Sequence, residues 1–364
     1  MADPGRVLRM STVLVTGGAG FIGSALSQRL CPLGVRMVVA DSFHPQVHPL
    51  RTRPPLLHAA AEILPFDVTH REPWEALLDL VRPDAVVHLA AETGTGQSLS
   101  EASRHAEVNV LGTTRMLDAM YRSQHRPDHI VLTSSRAVYG DGAWRSADGS
   151  IRYPGLRSRA ALEAHRWDHP DSDGTPLTPC VSIAGITETH PTNVYAATKL
   201  AQEDILRSWC AATATRLSVL RLQNVYGPGQ SVSNSYTGVL TYFARQVAQR
   251  DIINVFEDGE IVRDFVFIDD VAAAVLAALE RPPAVSRLVD IGSGVASTIL
   301  QIAQSMAAAG AAPAPRVSGD FRDGDVRAAW CDISGARNEL GYEPTVTVAE
   351  GVERLLRWVA EQPL

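Results

Sequence analysis

The sequence predicts an α/β fold: a doubly wound parallel sheet with a smaller, interleaved C-terminal domain. Three observations carry that prediction. Short apolar runs alternate with helical patterns from Ser11 to about Tyr139, the first run leads straight into a glycine-spaced turn, and the second ends on an acid. Strands alternating with helices are joined by crossovers that make the sheet parallel and cover both faces. The 364 residues, 45% hydrophobic and 20% charged, suit one large or two intertwined globular domains.

The first strand, Val13 to Val15, runs into Thr16-Gly17-Gly-Ala-Gly20-Phe21-Ile22-Gly23, and a helical pattern follows from Ile22 to Leu30. Strand, glycine turn and helix in this order form a Rossmann-type dinucleotide site. Gly17 permits the tight turn, Gly20 lets the backbone approach a pyrophosphate, and Gly23 lets helix and strand pack closely. The spacing is G-x-x-G-x-x-G. The helix N-terminus, with Phe21 and Ile22, faces the phosphates. A second strand, Arg36 to Ala40, ends at Asp41, 21 residues after Gly20. A carboxylate there accepts from free ribose hydroxyls and repels a 2′-phosphate, so NAD is expected rather than NADP. A loop-capping Asp is the alternative. After a third apolar stretch come Asp67, set to meet the adenine edge, and Val68. A fourth strand, Val86 to Ala90, brings Leu89, Ala90 and Ala91 to the place where a nicotinamide passes.

Lys199 is the only lysine; the other 32 of the 33 basic residues are arginine. It lies four residues after Tyr195, so on a helix the two share one face. An ammonium beneath a phenol favours the phenolate, which predicts a lowered pKa and a general base. A chance surface pair is the alternative. His88, on an apolar strand, is expected to be a satisfied core histidine. His165 and His169, with Asp168, Asp171 and Cys180 nearby, have conceivable ligand spacing, but their polar, irregular segment predicts a solvated loop and no metal site.

The net charge of −7 argues against a general grip on nucleic acid. No apolar run reaches the ~18 residues needed to cross a membrane. Met1 to Met10 is polar and has no signal core. Cys31, Cys180, Cys210 and Cys331 are scattered without a disulfide framework, which suggests a reducing cytoplasm. The stretch 141–191 is polar, rich in Pro, Gly, Asp and Arg, and long enough to be either functional or disordered.

Five motifs arrive in order: Thr16 to Gly23, His88 to Glu92, Thr133 to Gly140, Tyr195-x-x-x-Lys199 and Arg221 to Gly229. Together they resemble the extended short-chain dehydrogenase/reductase family, and within it the NAD-dependent nucleotide-sugar epimerases and dehydratases. The segments Glu92–Ser98, Ser134–Gly140 and Gly229–Gly238 are similar to the dTDP-L-rhamnose 4-epimerase group, although 141–191 keeps only Cys180 of that group's cysteine-containing sequence. The resemblance implies Ser135, Tyr195 and Lys199 as catalytic residues and Asn109 as the residue that orders the site. It implies Asn224, Arg263 and Arg322 on a substrate diphosphate; Thr93 and Asp325 are expected among the substrate contacts, and Arg136 is expected either there or in a structural salt bridge. It also implies tightly bound NAD, a nucleotide-diphosphate sugar as substrate, and a homodimer formed through the 100–122 helix and the Tyr195 helix. NAD binding is expected from 1–222, with 141–191 inserted and 262–293 returning to it; 223–261 and 294–364 are expected to bind the nucleotide sugar. Related dehydratases carry acidic residues after the catalytic hydroxyl. Here Arg136-Ala137 follows, so elimination lacks its acid and base and 4-epimerisation through a keto sugar is expected. The alternatives are a reductase, which would need exchangeable NADPH, and a non-catalytic nucleotide-binding protein.

Overall fold

The computed structural model describes residues 10–232 and 238–362. Part of the Gly229–Gly238 segment therefore lies outside the described residues. Seven parallel strands form one sheet. β1 is Thr12–Thr16, β2 Arg36–Asp41, β3 Glu62–Pro65, β4 Ala85–His88 and β5 His129–Ser135; the strands Arg216–Leu222 and Ser286–Ile291 complete it. From one edge the order is Ser286–Ile291, Arg216–Leu222, β5, β4, β1, β2, β3. The chain thus winds outward in both directions from the β1–β4 seam, where Thr16 pairs with His88. Ligands of open parallel sheets bind outside the carboxyl ends at such a reversal.

The central strands read as unbroken apolar runs because both of their faces are covered. One side of β1 (Val13, Val15) packs with Leu26, Val271 and Val275. The other side (Leu14) packs with Trp74, Met116 and Leu206. A third core around Phe243, Phe265, Ile302 and Leu355 builds the C-terminal half. Each such side chain, fully buried, contributes about 1.5–3 kcal/mol. Among the described residues, no helix is long and apolar enough to cross a membrane.

The stretch 141–191 is not a structureless loop. Trp144–Arg145 pairs with Ile151–Arg152 and with Thr178–Pro179, and a short helix spans Arg159–Glu163. These strands are two residues long, too short to show alternation in sequence. Trp144 packs with Leu177 and Ala328 in a small separate core. The expected single helix from 100 to 122 is also divided. A π-helical segment, Ala106–Leu111, precedes the α-helix Gly112–Arg122. Such wide turns aim side chains that a regular helix would not.

Candidate active site

The glycine turn is held against β4 at backbone distance. Gly17 has φ +66°, and a Cβ there would stand 2.7 Å from the Ala90 amide nitrogen. A Cβ on Gly23 would stand 2.3 Å from the Gly18 carbonyl oxygen. Neither position accepts a side chain. Helix α1 (Phe21–Leu30) starts at Gly20 with no side-chain cap and no acid in its first turn. Its first N–H groups have no intrahelical partners and carry the positive end of the helix dipole. Asp41 accepts from Ala19 N at 3.0 Å and Phe43 N at 2.9 Å, with His48 Nε2 3.9 Å away. It therefore braces the glycine turn, as a capping Asp would, and still has acceptor capacity to spare. The uncapped helix start, the two obligatory glycines and the spare Asp41 lone pairs fit a dinucleotide's diphosphate and ribose.

Other residues of the expected cofactor wall have local duties. Asp67 accepts from Thr69 N and Oγ1, closing a turn. Val68 is buried in the core, and its side chain meets the position a Gly112 Cβ would take. Leu89 N donates to the Thr16 carbonyl at 3.0 Å, which sets Leu89, Ala90 and Ala91 at the mouth of the β1–β4 seam.

Ser135 ends β5, and its Oγ accepts from Ala137 N at 3.1 Å. Tyr195 lies in the first turn of the helix Val194–Thr213, which is capped by Asn193 Oδ1 accepting from Ala196 N at 2.9 Å. The Tyr195 phenol lies next to the Ser135 hydroxyl. Burial raises its pKa, and the nearby Ser135 hydroxyl and the Arg136 charge oppose that rise. This corrects the expectation of a phenol lowered by Lys199. The Lys199 ammonium is directed instead at Gln202 Oε1, 2.5 Å away, and the cation acting on Tyr195 is Arg136. Burial pushes Lys199 down to about 8 against the pull of Glu203. Asn109, in the π-helical segment, accepts from Glu92 N at 2.8 Å and donates to Glu92 O and Thr198 Oγ1, both at 3.0 Å. It ties the loop after β4 to the Tyr195 helix. His88 is a satisfied core histidine, bonded to Thr16 and Thr113, and burial holds its pKa near 3.

On the other side stand Arg136, Arg263 and Asp325. Burial and the Arg263 charge push Arg136 down to about 10, against Asp141 and Asp325. Arg263 Nη2 donates to Asp325 Oδ1 at 2.6 Å. Asn224 begins the segment after the strand Arg216–Leu222, and its buried Oδ1 has no partner. The neighbouring Gln223 is buried with neither amide atom partnered. Arg322 is not brought to this group. It is exposed, with its guanidinium 5.1 Å from the Phe256 ring centroid. Thr93 is exposed, and its carbonyl faces His105 Nε2 at 3.3 Å. His169 pairs with Asp141 at 2.6 Å and sits edge-on to Trp144, while His165 lies beside Trp167.

Sequence reasoning missed Gln202, Glu203 and the partners of Arg221. Glu203 accepts from Arg221 Nε and Nη2 at 3.0 and 2.7 Å and from the hydroxyl of Ser134, the residue before Ser135, at 2.5 Å. Its position four residues after Lys199, on the same helical face, was the available signal. Tyr139, which donates to Asp290 at 2.9 Å, gave none.

A family model described as the NAD dependent epimerase/dehydratase family matches residues 13–157 and 172–292. The chain belongs to the NAD dependent epimerase/dehydratase family. It is 54% identical over 350 residues to a dTDP-L-rhamnose 4-epimerase of Burkholderia thailandensis, covering 96% of this chain and 95% of that one. A UDP-glucose 4-epimerase of Thermotoga maritima, solved with UDP-glucose, superposes with a TM-score of 0.76 at 26% identity, covering 95% and 98% of the two chains. A UDP-glucose 4-epimerase of Thermus thermophilus in complex with NAD superposes at 0.74 and 25% identity, covering 96% and 99%. The expectations of a Rossmann-type sheet, of NAD as cofactor and of a nucleotide-sugar 4-epimerase are borne out. For the family's cofactor, the uncapped glycine cradle is the matching feature in this chain.

Proposed function

We propose that this member of the family inverts the C4 hydroxyl of a dTDP-linked 6-deoxyhexose of the L-rhamnose type, through a transient 4-keto sugar. The whole-length 54% identity to the Burkholderia enzyme supports that substrate. The observation that supports the mechanism is the Tyr195 phenol lying next to the Ser135 hydroxyl at the carboxyl end of β5. Tyr195, as phenolate, takes the proton from the C4 hydroxyl, and Ser135 donates to the same oxygen as its charge develops. Bound NAD supplies the acceptor for the C4 hydride and its return to the opposite face. Tyr195 gives the proton back to the inverted oxygen. Asn109 holds the Tyr195 helix to the loop after β4. Gly17, Gly20, Phe21, Ile22 and Gly23 would hold the cofactor diphosphate, Asp41 its adenosine ribose, and Lys199 the nicotinamide ribose. Asp67 and the Val68 backbone would border the adenine, and Leu89, Ala90 and Ala91 the nicotinamide.

Two guanidiniums, Arg136 and Arg263, stand beside Asp325 on the substrate side, with Asp141 also acting on Arg136, and such a pair of forks suits a diphosphate dianion. The unpartnered Asn224 Oδ1 would accept from the substrate. Thr93 would border the sugar, and Arg322 would reach the diphosphate by swinging from Phe256. We assign 1–222, with 141–191 inserted and 262–293 returning, to NAD binding, and 223–261 with 294–364 to the nucleotide sugar. Exposed Leu99, Leu111 and Tyr121 support a homodimer built on the helices before Arg122 and the Tyr195 helix. Four free cysteines fit a cytoplasmic protein.

The test is purified protein with dTDP-L-rhamnose and a panel of other nucleotide sugars, in deuterated water without added cofactor, followed by NMR. A C4 stereoisomer free of solvent deuterium supports the reading. Deuterium in the product would move the reaction to C3 or C5, and turnover only with added NAD(P)H would make the protein a reductase.

A further inference from the structure

We infer that Gln202 is a positioning residue that clamps the Lys199 ammonium to the floor of the cofactor cradle. The inference rests on the reading of Lys199 as the cation of the active site and adds the residue that holds it. Five buried polar side chains from four elements make the clamp. Lys199 Nζ donates to Gln202 Oε1 at 2.5 Å. Gln202 Nε2 donates to Thr113 Oγ1 at 2.9 Å. His88 Nε2 lies 3.0 Å from that same oxygen, and His88 Nδ1 lies 2.7 Å from Thr16 Oγ1. All five side chains are under 4% exposed.

One set of proton positions satisfies these contacts and leaves only the 3.4 Å approach of Gln202 Nε2 to His88 Nε2, two donors, without a bond. The Thr113 hydroxyl donates to the Asn109 carbonyl at 2.6 Å, so its oxygen accepts from both Gln202 and His88. His88 then carries its proton on Nε2 and accepts from Thr16 through Nδ1. That is the neutral imidazole, the form burial and the Lys199 charge both favour. With His88 and Thr113 fixed in this way, the Gln202 amide nitrogen must face Thr113 and its oxygen must face Lys199. The amide cannot flip without losing both bonds. It therefore presents an acceptor, which favours the charged lysine. Thr16 is the residue before Gly17, so the clamp runs from the glycine turn to the lysine without leaving the protein interior.

The groups facing Lys199 fix what a substitution does. His88 comes from β4 and is neutral. Glu203 and Tyr195 lie on the lysine's own helix. His105 sits edge-on to the Tyr195 ring, Arg136 acts on the Tyr195 phenol, and Arg221 neutralises Glu203 from the adjacent strand. Gln202 is thus the neutral acceptor closest to the ammonium.

The test is the pH profile of epimerisation by the full-length protein, over pH 6 to 10, for wild type, Gln202→Leu and Gln202→Glu, with bound NAD measured in each. Removing the acceptor disfavours the ammonium, so Gln202→Leu moves the alkaline limb down by about one pH unit, tenfold at a fixed pH on that limb. A carboxylate at the same place favours it, so Gln202→Glu moves the limb up. The acid limb stays where it is in both. A purely structural role would lower activity at every pH alike and would not shift the limb in opposite directions. Coincident alkaline limbs in the three proteins would overturn the inference. If Gln202→Leu does not fold, the upward shift in Gln202→Glu decides it alone. An inactive wild type would instead count against the epimerase reading, which separates the two failures.

Discussion

Among the described residues, two fully buried carboxylates, Glu203 and Glu257, hold arginines, and they do different work. Glu203 grips Arg221 with both oxygens and also takes the Ser134 hydroxyl. Glu257 grips Arg157 with both oxygens at 2.7 Å and reaches Arg327 at 3.2 Å. The partners of Glu203 lie on sheet strands that end at the site, one residue before Ser135 and two before Gln223. The partners of Glu257 come from 141–191 and from the C-terminal half. Arg327 further holds Asp168 and Asp258 at 2.8 and 2.7 Å, and its backbone N–H donates to Asp141. The same ion-pair chemistry therefore sets the floor of the active site in one place and fastens an inserted segment in the other. A buried pair is strong evidence of specified geometry and weak evidence of net stability.

The largest expected effect lies above the Glu203 pair. Tyr195→Phe should cut kcat about 10²–10⁴-fold by removing the acid–base group, while bound NAD, read from the absorbance of the purified protein, is retained. That result would place the chemistry on the Glu203 side. The comparison itself is tested by truncating each carboxylate. Glu203→Ala and Glu257→Ala should each lose about 3–5 kcal/mol in urea unfolding, because each strands a buried guanidinium. Assayed well below their melting temperatures, only Glu203→Ala should also lose kcat, by about tenfold or more, or 1.4 kcal/mol of barrier. Equal losses of kcat would break the distinction. Arg263→Ala should raise KM about 10- to 100-fold, the value of one or more lost bonds to a charged partner, with a smaller change in kcat.

The smallest effect concerns Lys199. Its pKa is depressed to about 8 in the folded protein against about 10.4 when free. Between those values the unfolded chain holds a proton that the folded chain has lost, so this group makes stability rise with pH there, by at most about 1.4 kcal/mol per unit. Below pH 8 both states are protonated and the contribution is flat. Urea midpoints of wild type and Lys199→Met at pH 8 and pH 10 measure it: the difference between the two proteins should shrink at the higher pH.

The Glu203 region was largely legible in sequence, and the Glu257 region was not. Tyr195, Lys199 and Glu203 fall at four-residue spacing on one helix, and Gly17, Gly20 and Gly23 fall within one turn and helix start. Local periodicity and backbone need suffice for these. Arg157 and Glu257 are 100 residues apart and Arg327 and Asp168 are 159 apart. Nothing local marks such partners among 32 arginines. The strands at Trp144, Ile151 and Thr178 are too short for a period to register. Even on the legible side, the direction of the Lys199 ammonium was hidden, because it depends on Gln202, Thr113 and His88 converging from separate elements.

The most direct measurement uses dTDP-L-rhamnose carrying deuterium at C4, in ordinary water, with no added cofactor. Hydride held within one active site returns the label to C4 of the inverted product, so the account predicts retention of deuterium there. Loss of the label to solvent, or inversion that continues after the enzyme's own NAD has been removed, would contradict it.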